Sequence, residues 1–441
     1  MKKISLKTFR GGVHPDDGKG LSAGCPLRPI EPGAVLYYPL GQHAGAPAVP
    51  IVQPGEQVLR GQKIAEAGGF VSAPVHSGVS GTVRKIQKMR MPGGGTSDCI
   101  VIENDGKMRE VPFIPADFTR LSAEEIVKRV AEAGVIGQGG AGFPTHVKLS
   151  PGDPSRIDTV LLNGAECEPY LTSDYRRMLE NPELVVEGLK IFLQIFPGAE
   201  GIICVEDNKR DCAEALQKAC RNASNIRVQL LKTKYPQGAE RMLIWAATGR
   251  KISSSLLPAD AGCIVDNVET AVSVYRAVAL GEPLTECTMT VTGDAAAKPQ
   301  NLVVPTGMLY REVLEAAGGL SAEPEKMIAG GPMMGNALFD LDTVVTKTSS
   351  ALLLFRKDPV AEQAVTACIN CGRCAEVCPG RILPARLAVF ADHGAEEQFL
   401  KYHGMECCEC GCCSFVCPAK RQLSQSIKSM RRLLLARRKK G

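Results

Sequence analysis

The sequence predicts a multidomain protein that combines β-rich units with an α/β layer and ends in a cysteine-rich segment. Its 441 residues exceed one ordinary core, so two to four domains are expected. The first hundred residues are dense in Gly and Pro and carry short alternating apolar segments, which is typical of strands joined by turns. Beyond residue 121, strand-like and helix-like runs alternate, which predicts a mainly parallel sheet with helices.

Composition predicts a folded protein that stays in the cytosol. Hydrophobic residues make up 44% of the chain and charged residues 22%. The apolar runs are much shorter than the roughly 18 residues that cross a bilayer, and the first residues lack the apolar stretch of a secretory signal. Nine Lys and Arg and no acidic residue occur from residue 420 onward. The whole chain has a net charge of +5, so the rest of the chain has a net charge of −4. This basic end is expected to be a solvated tail, a lipid-binding strip or a docking strip for an acidic partner.

The first β-rich unit is predicted from "VQPGEQVLRGQKIAEAGGFVSAPVHSGVSGTVRKI", residues 52–86. This stretch resembles the barrel-sandwich hammerhead of biotinyl and lipoyl carrier domains. A carrier places a lysine at the tip of its hairpin, where this sequence has "EAGGF". The resemblance therefore implies the scaffold without the attached group.

The α/β layer is predicted to begin with the helix of "SAEEIVKRVAEAG". Ser122 and Glu125 form a capping box at its start, and Gly134 ends it. Strands are predicted over 157–163, 201–206 and 226–233, separated by helical runs. A smaller β-rich unit over 286–320 and a linker over 346–367 are predicted to follow.

"GQGGAGFP", residues 137–144, matches G-x-G-x-x-G through Gly137, Gly139 and Gly142. A dinucleotide fingerprint needs a strand before the glycines and a helix after them, whereas here a helix precedes and Pro144 follows at once. The Rossmann interpretation therefore fails on context. Glycines still let backbone N–H groups approach a flat ring or a phosphate, and Lys148 can supply a positive charge. Taken alone, the loop could also be a flexible connection.

Ten of the 18 cysteines lie between residues 368 and 417, which favours metal or redox chemistry in a reducing compartment. They contain two copies of C-x2-C-x2-C-x3-C-P, the bacterial ferredoxin signature in which each fourth cysteine ligates the other cluster. The first predicted cluster set is Cys368, Cys371, Cys374 and Cys417, and the second is Cys407, Cys410, Cys413 and Cys378. Tetrahedral zinc is the rival interpretation. Cys408 and Cys412 lie off this register and are predicted to be buried non-ligands, and the eight cysteines from Cys25 to Cys287 are expected to be structural.

Four motifs in order resemble the flavin-bearing, NADH-oxidising subunit of respiratory complex I: "GQGGAGFPTHVKL", "NGAECEPYLTSDYR", "YPQGAERML" and "VDNVET". The resemblance implies a domain that binds FMN and NAD(H). The residues it implies around non-covalent FMN are Gly139, Gly140, Lys148, Asn163, Glu166 and Asn267, and Gly137 and Gly142 of the same loop are also predicted to bind the cofactors. It also implies that Phe143 stacks on the nicotinamide nucleotide and that Glu168 and Glu240 accept hydrogen bonds from ribose hydroxyls. No acid or base catalyst is expected, because hydride transfer needs none.

"FRGGVHP", "QHAGAPAVP", "GFVSAPVHSGVSG", "KTKYPQGAE" and "GGPMMG", followed by two ferredoxin motifs, resemble the C subunit of the Rnf complex over nearly the whole chain. The resemblance implies a peripheral subunit of an ion-translocating ferredoxin:NAD+ oxidoreductase, with FMN, NAD(H) and two [4Fe-4S] clusters. The implied partners are the Rnf membrane subunits and the iron–sulfur subunit that accepts ferredoxin electrons, at the cytoplasmic face of the membrane; nucleic acid is not expected. Two alternatives stay open: a cobalamin reductase of a bacterial microcompartment, and a flavin-free iron–sulfur relay.

The resemblance also implies a multidomain α/β plus β protein with defined domain boundaries. The predicted units are an N-terminal arm (1–30), a barrel-sandwich hybrid without a carrier lysine (31–113), an FMN/NAD domain (114–285), an SLBB β-grasp domain (286–345), a dicluster ferredoxin-like domain (346–424) and a basic tail (425–441).

Overall fold

The computed structural model describes residues 6–438, with Arg438 described by its backbone alone. The first five residues of the predicted N-terminal arm and the last three of the predicted basic tail lie outside the described residues. Within the described part, the strands form four sheets and the carboxyl-terminal part is helical. None of the helices described there combines the length and the apolar character needed to span a membrane.

The amino-terminal part consists of strands with antiparallel neighbours, apart from the first strand, which pairs in parallel with a later part of the chain. They are β1 (Leu27–Pro29), β2 (Val35–Pro39), β3 (Val49–Pro50), β4 (Gln57–Val58), β5 (Lys63–Glu66), β6 (Val75–His76), β7 (Gly81–Arg90) and β8 (Thr96–Asn104). Strands β2-β8-β7-β4 form one sheet and β3-β5-β6 a second. Leu36, Ile64 and Ile100 are fully buried, as expected for inward positions of alternating strands. This arrangement agrees with the predicted barrel-sandwich unit.

The α/β layer follows in the predicted order. Its elements are α1 (Ala123–Glu132), α2 (Thr145–Lys148), β9 (Thr159–Gly164), α3 (Ser173–Glu180), α4 (Pro182–Ile195), β10 (Glu200–Glu206), α5 (Arg210–Ala219), β11 (Ile226–Leu231), α6 (Glu240–Thr248), β12 (Cys263–Asn267) and α7 (Val268–Tyr275), which continues as a π-helix over Arg276–Leu280. The predicted capping box of Ser122 and Glu125 is present at α1.

All strands of this sheet are parallel, in the order β11-β10-β9-β12. After β9 the chain adds β10 and then β11 on one side of β9, and it later adds β12 on the other side. Asn163 and Asn267 pair at the carboxyl ends of β9 and β12. Open parallel sheets bind ligands at such a point of reversal, because the connections diverge and leave a crevice.

A six-stranded sheet follows. Its new elements are β13 (Glu286–Thr292), β14 (Gln300–Pro305), α8 (Tyr310–Ala316), β15 (Lys326–Ala329), β16 (Asn336–Leu338) and β17 (Ala351–Phe355), in the order β1-β14-β13-β17-β15-β16. The prediction of a linker over 346–367 is wrong at Ala351–Phe355. These residues form β17, which lies inside this sheet between β13 and β15. Leu352, Leu353 and Leu354 are fully buried, so this apolar run is a core strand. Its apolar side chains join those of the barrel-sandwich sheets in one continuous core.

The carboxyl-terminal part contains α9 (Arg373–Glu376), α10 (Pro384–Asp392), α11 (Glu396–Lys401), α12 (Cys412–Phe415) and α13 (Leu423–Arg438). Helix α13 packs on α10, and Leu387, Phe399, Ile427, Met430 and Leu434 belong to their shared apolar core. Helices α9 and α12 are the single turns inside the two cysteine motifs. The predicted basic tail is thus helical as far as residue 438, and its apolar side chains pack against the rest of this part.

Candidate functional site

A cavity of about 1320 Å³ lies at the carboxyl ends of β9 and β12 and is also lined by both β-rich units and the cysteine-rich part. It brings together seven of the predicted nucleotide-binding residues: Gly139, Gly140, Asn163, Glu166, Glu168, Glu240 and Asn267. Gly137, Gly142, Phe143 and Lys148 are not among the described residues that line it. Pockets for one drug-sized ligand are about 300–1,000 Å³, so the cavity is large enough for more than one such group.

The glycine loop presents its backbone to the cavity at Gly139 and Gly140. Gly139 has φ +68°, and a Cβ there would lie 3.3 Å from Nδ2 of Asn267. A Cβ at Gly140 would meet nothing within 4 Å, so this residue leaves an open approach for a ligand. Gly142 serves packing instead, because a Cβ there would lie 2.7 Å from Cγ2 of Thr348. The loop is closed by a hydrogen bond from Gly137 N to Phe143 O (2.9 Å).

Lys148 is held against strand β12. Its ammonium donates to the carbonyl of Val265 (2.8 Å) and to Oδ1 of Asp266 (3.0 Å). Burial acts to lower the pKa of Lys148, but the charges of Asp266 and Glu240 outweigh burial and raise it. Phe143 is half-buried. The predicted contacts of Lys148 and Phe143 with nucleotide therefore stay predictions.

Glu166 caps helix α3 from the cavity wall. Its carboxylate accepts hydrogen bonds from the backbone N–H groups of Asp174 (2.7 Å) and Tyr175 (3.3 Å), and its Oε2 lies 3.8 Å from Nζ of the buried Lys19. Burial raises the pKa of Asp174 to about 7, assisted by the charge of Glu166, while Asn267 donates a hydrogen bond to Asp174 (2.7 Å). Lys19 and Asp174 were missed by the sequence analysis.

Glu168 supplies a buried acceptor without a partner. Its Oε2 accepts a hydrogen bond from the N–H of Met333 (3.1 Å), in the "GGPMMG" loop. Its Oε1 is buried and has no hydrogen-bond partner in the part of the chain that the structure describes. Burial raises the pKa of Glu168 to about 7. An unpaired buried acceptor costs free energy, so a ligand hydroxyl or amide that reaches Oε1 would stabilise this site.

Other parts of the wall come from outside the predicted FMN/NAD domain. Gln42 and His43 follow β2, and Thr346 and Thr348 precede β17; all four line the cavity. The Ala44 N–H also donates to the Gly142 carbonyl (3.0 Å), which ties the barrel-sandwich unit to the glycine loop. The motifs "QHAGAPAVP" and "GGPMMG" were the only sequence signals of this contribution. Their contact with the site depends on how the domains pack.

The cysteines surround two smaller cavities. Cys368, Cys371, Cys374 and Cys417 line the first, of about 170 Å³. Cys378, Cys407, Cys410 and Cys413 line the second, of about 20 Å³, together with Cys408 and Cys412. Each cavity thus combines three cysteines of one motif with the last cysteine of the other. Within residues 6–438, no three His, Cys, Asp or Glu side chains converge closely enough to hold one metal ion. Neither lining contains His, Asp or Glu, and an all-thiol donor set suits an iron–sulfur cluster.

The second cysteine set borders the large cavity. Cys408 and Cys410 line both cavities. The Tyr235 hydroxyl donates to the Cys410 carbonyl (2.8 Å), and Arg241 pairs with Glu406 at 2.7 Å. Cys410 and Cys413 are each 7% exposed, whereas Cys368 and Cys371 are exposed. The second cysteine set therefore lies next to the large cavity, and the first cysteine set lies closer to the surface.

The cavity at the end of the parallel sheet and the two cysteine-lined cavities beside it agree with the predicted class of protein, the flavin-binding NAD-linked electron-transfer proteins. Three family models match the chain: the "Nuo51 FMN-binding domain" over residues 130–276, the "RnfC Barrel sandwich hybrid domain" over 7–107 and the "SLBB domain" over 288–337. These matches confirm the predicted fold class. A chain of an NAD+-reducing [NiFe]-hydrogenase in the H2-reduced state has a similar fold, with a TM-score of 0.50 and 19% identity; the alignment covers 73% of this chain and 62% of that one.

Two curated relatives extend over almost the whole length. The chain is 43% identical to the C subunit of the proton-translocating ferredoxin:NAD(+) oxidoreductase complex of Clostridium ljungdahlii, over 97% of this chain and 94% of that protein. It is also 43% identical to the C subunit of the Na(+)-translocating complex of Acetobacterium woodii, over 98% of each. The chain belongs to the family of Rnf complex C subunits. This result confirms the predicted family and favours it over the cobalamin reductase alternative.

Proposed function

We propose that this chain is the NAD(H)-reacting, peripheral electron-transfer subunit of an ion-translocating ferredoxin:NAD+ oxidoreductase. It would exchange a hydride between NAD(H) and FMN, and single electrons with two [4Fe-4S] clusters. The observation that carries the proposal is the position of Cys410, which lines both the large cavity and the second cysteine cavity. The names of the curated relatives, both subunits of ferredoxin:NAD(+) oxidoreductase complexes, support the same assignment.

The residues of the large cavity fit a flavin and a nicotinamide nucleotide. Bound FMN would connect hydride chemistry with single-electron chemistry. Gly139 and Gly140 would lie against the flavin, and the Asn163 and Asn267 side chains at the sheet end would orient it. Glu240 would accept from a ribose hydroxyl, and so would the Glu168 carboxylate, whose Oε1 has no hydrogen-bond partner among the described residues. The pKa of about 7 also lets Glu168 donate when protonated, so its hydrogen bond can adapt to the ligand group that it meets.

The cysteine sets would hold the two clusters. Cys407, Cys410, Cys413 and Cys378 would hold the cluster beside the large cavity, and Cys368, Cys371, Cys374 and Cys417 the cluster near the surface. Exposure of Cys368 and Cys371 supports electron exchange between the first set and a partner protein. Burial of the second set would exclude water from the inner part of the path.

The partners would be the other Rnf subunits, including the iron–sulfur subunit that receives electrons from ferredoxin. We further propose that the chain binds at the cytoplasmic face of the membrane through those partners. Ion export would be the task of the membrane subunits, since the residues assigned here serve nucleotide and cluster binding.

The proposal is tested with an anaerobic preparation assayed for iron, acid-labile sulfide, releasable FMN and bleaching by NADH. We expect about eight irons and one FMN per chain, because two four-iron clusters need eight cysteines. Addition of NADH should bleach the flavin and then the clusters. Stoichiometric zinc with almost no iron would contradict the cluster assignment. Protein that binds no FMN and does not bleach would support the flavin-free relay instead.

A further inference from the structure

Helix α13 contributes two cations to the wall of the large cavity. Lys428 and Arg432 both line it, and their spacing of four positions puts them on one face of the helix. A neighbouring face is fixed by the buried side chains of Ile427, Met430 and Leu434. The fold thus sets the backbone positions of Lys428, which is half-buried, and of Arg432, which is exposed, although both residues belong to the segment predicted as a basic tail.

Within the described part of the chain, Lys428 and Arg432 differ from the other Lys and Arg residues around the cavity in having no counterion. Lys88 lies 3.2 Å from Asp98, and Arg241 lies 2.7 Å from Glu406. Arg431, which precedes Arg432, pairs with Glu409. Among the lining residues that the structure describes, Lys428 and Arg432 are the Lys and Arg side chains without a carboxylate partner or a hydrogen bond. Two free cations on one concave wall attract an anion.

The carboxylates in the rest of the wall favour such cations as partners for a phosphorylated ligand. Asp174, Glu168 and Glu240 all line the cavity. A dinucleotide carries two phosphates, and negative charge near carboxylates is unfavourable unless cations compensate for it. The cavity volume of about 1320 Å³ leaves room for a second ligand beside a flavin.

We propose that Lys428 and Arg432 bind the pyrophosphate of the nicotinamide dinucleotide. This inference rests on the function proposed above and deepens it. The Arg432 guanidinium can bind a phosphate through two parallel hydrogen bonds, and the Lys428 ammonium adds a compact point charge. Helix α13 would then determine affinity for the dinucleotide while carrying no part of the redox chemistry.

The test compares the full-length, flavin-loaded and cluster-loaded protein with the double variant Lys428→Gln/Arg432→Gln. The probe is ADP-ribose, which has the pyrophosphate but no nicotinamide, with binding measured by calorimetry. We expect binding to weaken about tenfold or more, because charge-assisted hydrogen bonds to phosphate are lost. The KM for NADH should rise while kcat changes less. FMN content and cluster absorbance should stay at the wild-type level, which also shows that the variant is folded.

Two controls sharpen the comparison. Arg437→Gln removes a charge from the same helix, but Arg437 pairs with Glu396 at 2.5 Å and does not line the cavity. It should leave ADP-ribose binding unchanged. Lys428→Arg keeps the charge and should retain most of the affinity. Added salt should weaken ADP-ribose binding to the wild type more than to the double variant, because salt screens the two cations that only the wild type has.

Unchanged ADP-ribose binding by the double variant would overturn this inference. So would loss of FMN with unchanged ADP-ribose binding, which would assign the pair to the flavin phosphate. A wild-type protein that binds neither FMN nor ADP-ribose would overturn the proposed function as well. The wild-type protein therefore tests the proposed function before any variant is made, and the double variant then tests the inference separately.

Discussion

The two cysteine motifs can be compared position by position, since the second follows the first by 39 residues, from Cys368 to Cys407. Asn370, Gly372 and Arg381 have φ values of 55°, 79° and 56°. Their counterparts in the second motif are Glu409, Gly411 and Lys420, with 58°, 80° and 53°. Each motif also contains a single helical turn, α9 or α12. The same cysteine spacing therefore gives the same local backbone.

The surroundings of the two motifs differ. Cys368 and Cys371 are exposed, whereas Cys410 is 7% exposed and lines the large cavity. Contacts with the α/β layer, from Tyr235 and Arg241, fix the second motif at that cavity. Local sequence thus determines the shape of each cysteine loop, and tertiary packing determines which loop adjoins the nucleotide cavity.

The largest expected effect is a crosswise loss of clusters. Cys417→Ser should remove the cluster around Cys368, and Cys378→Ser the cluster around Cys407, because each motif supplies the last cysteine of the other set. Iron should fall from about eight to about four per chain in each variant, and electron paramagnetic resonance should show which signal remains. Cys408→Ser and Cys412→Ser are the controls and should keep both clusters. If Cys417→Ser instead removed the cluster around Cys407, or Cys378→Ser the cluster around Cys368, the exchange of fourth ligands would be contradicted.

The difference in burial predicts different thiol reactivity after iron is removed by chelation. Burial raises the pKa of Cys407 and of Cys413 to about 12, so at pH 8 little thiolate forms there. Cys368 and Cys371 are exposed to reagent. Alkylation of the first motif should be at least about ten times faster, and alkylation of Cys407 and Cys413 should accelerate as pH rises towards 12. Mass spectrometry of the labelled peptides measures the alkylation rate of each motif. Equal rates for the two motifs would contradict the predicted effect of burial on thiol reactivity.

The contact of Glu406 with the α/β layer should contribute to stability in a pH-dependent way. Burial acts to raise the pKa of Glu406, but hydrogen bonds from Ser254 and the Arg241 guanidinium outweigh it, so the pKa is lowered. The contribution is therefore present above the unfolded-state pKa and is lost as pH falls through the lowered folded-state pKa.

Arg241→Ala should lower the free energy of unfolding by about 1–3 kcal/mol at pH 7 and slow reduction of the second cluster by NADH. Thermal unfolding at pH 7 and at acidic pH measures the first effect, and stopped-flow absorbance the second. Arg250→Ala is a suitable control, because Arg250 pairs with Asp158 (2.6 Å) and contacts Cys263, which lies outside the two cysteine motifs. An equal effect of both substitutions on cluster reduction would contradict the positioning role of Arg241.

The smallest expected effect concerns the residues at the left-handed position of each motif. The first motif has Asn370 there, a residue type that tolerates positive φ, whereas the second has Glu409, which pairs with Arg431. Glu409→Asn should relieve backbone strain but lose the ion pair, so the free energy of unfolding should change by less than about 0.5 kcal/mol. Chemical denaturation compares this variant with Asn370→Val, which should cost about 1 kcal/mol because a β-branched residue is disfavoured at positive φ. A large loss in Glu409→Asn would show that the ion pair outweighs the strain.

Much of the fold and part of the site could be predicted from the sequence. Helix α1 with its cap, the parallel strands β9, β10 and β11, and the cysteine register all follow from local patterns. The prediction of a linker failed at β17, because a short apolar run does not reveal whether a sheet has a place for it. Lys19 and Asp174 were missed because each acts through a contact with Glu166 that no local pattern shows.

The sequence by itself determined the glycine loop, the two cysteine motifs and the family, since these depend on residue type and spacing. Only the tertiary structure decided that Gly142 packs against Thr348, that Glu168 keeps one oxygen without a partner, and that Lys428 and Arg432 line the cavity rather than extend as a tail. The physical reason is that spacing sets the local backbone, whereas burial and charge pairing depend on residues brought together from more than a hundred positions away.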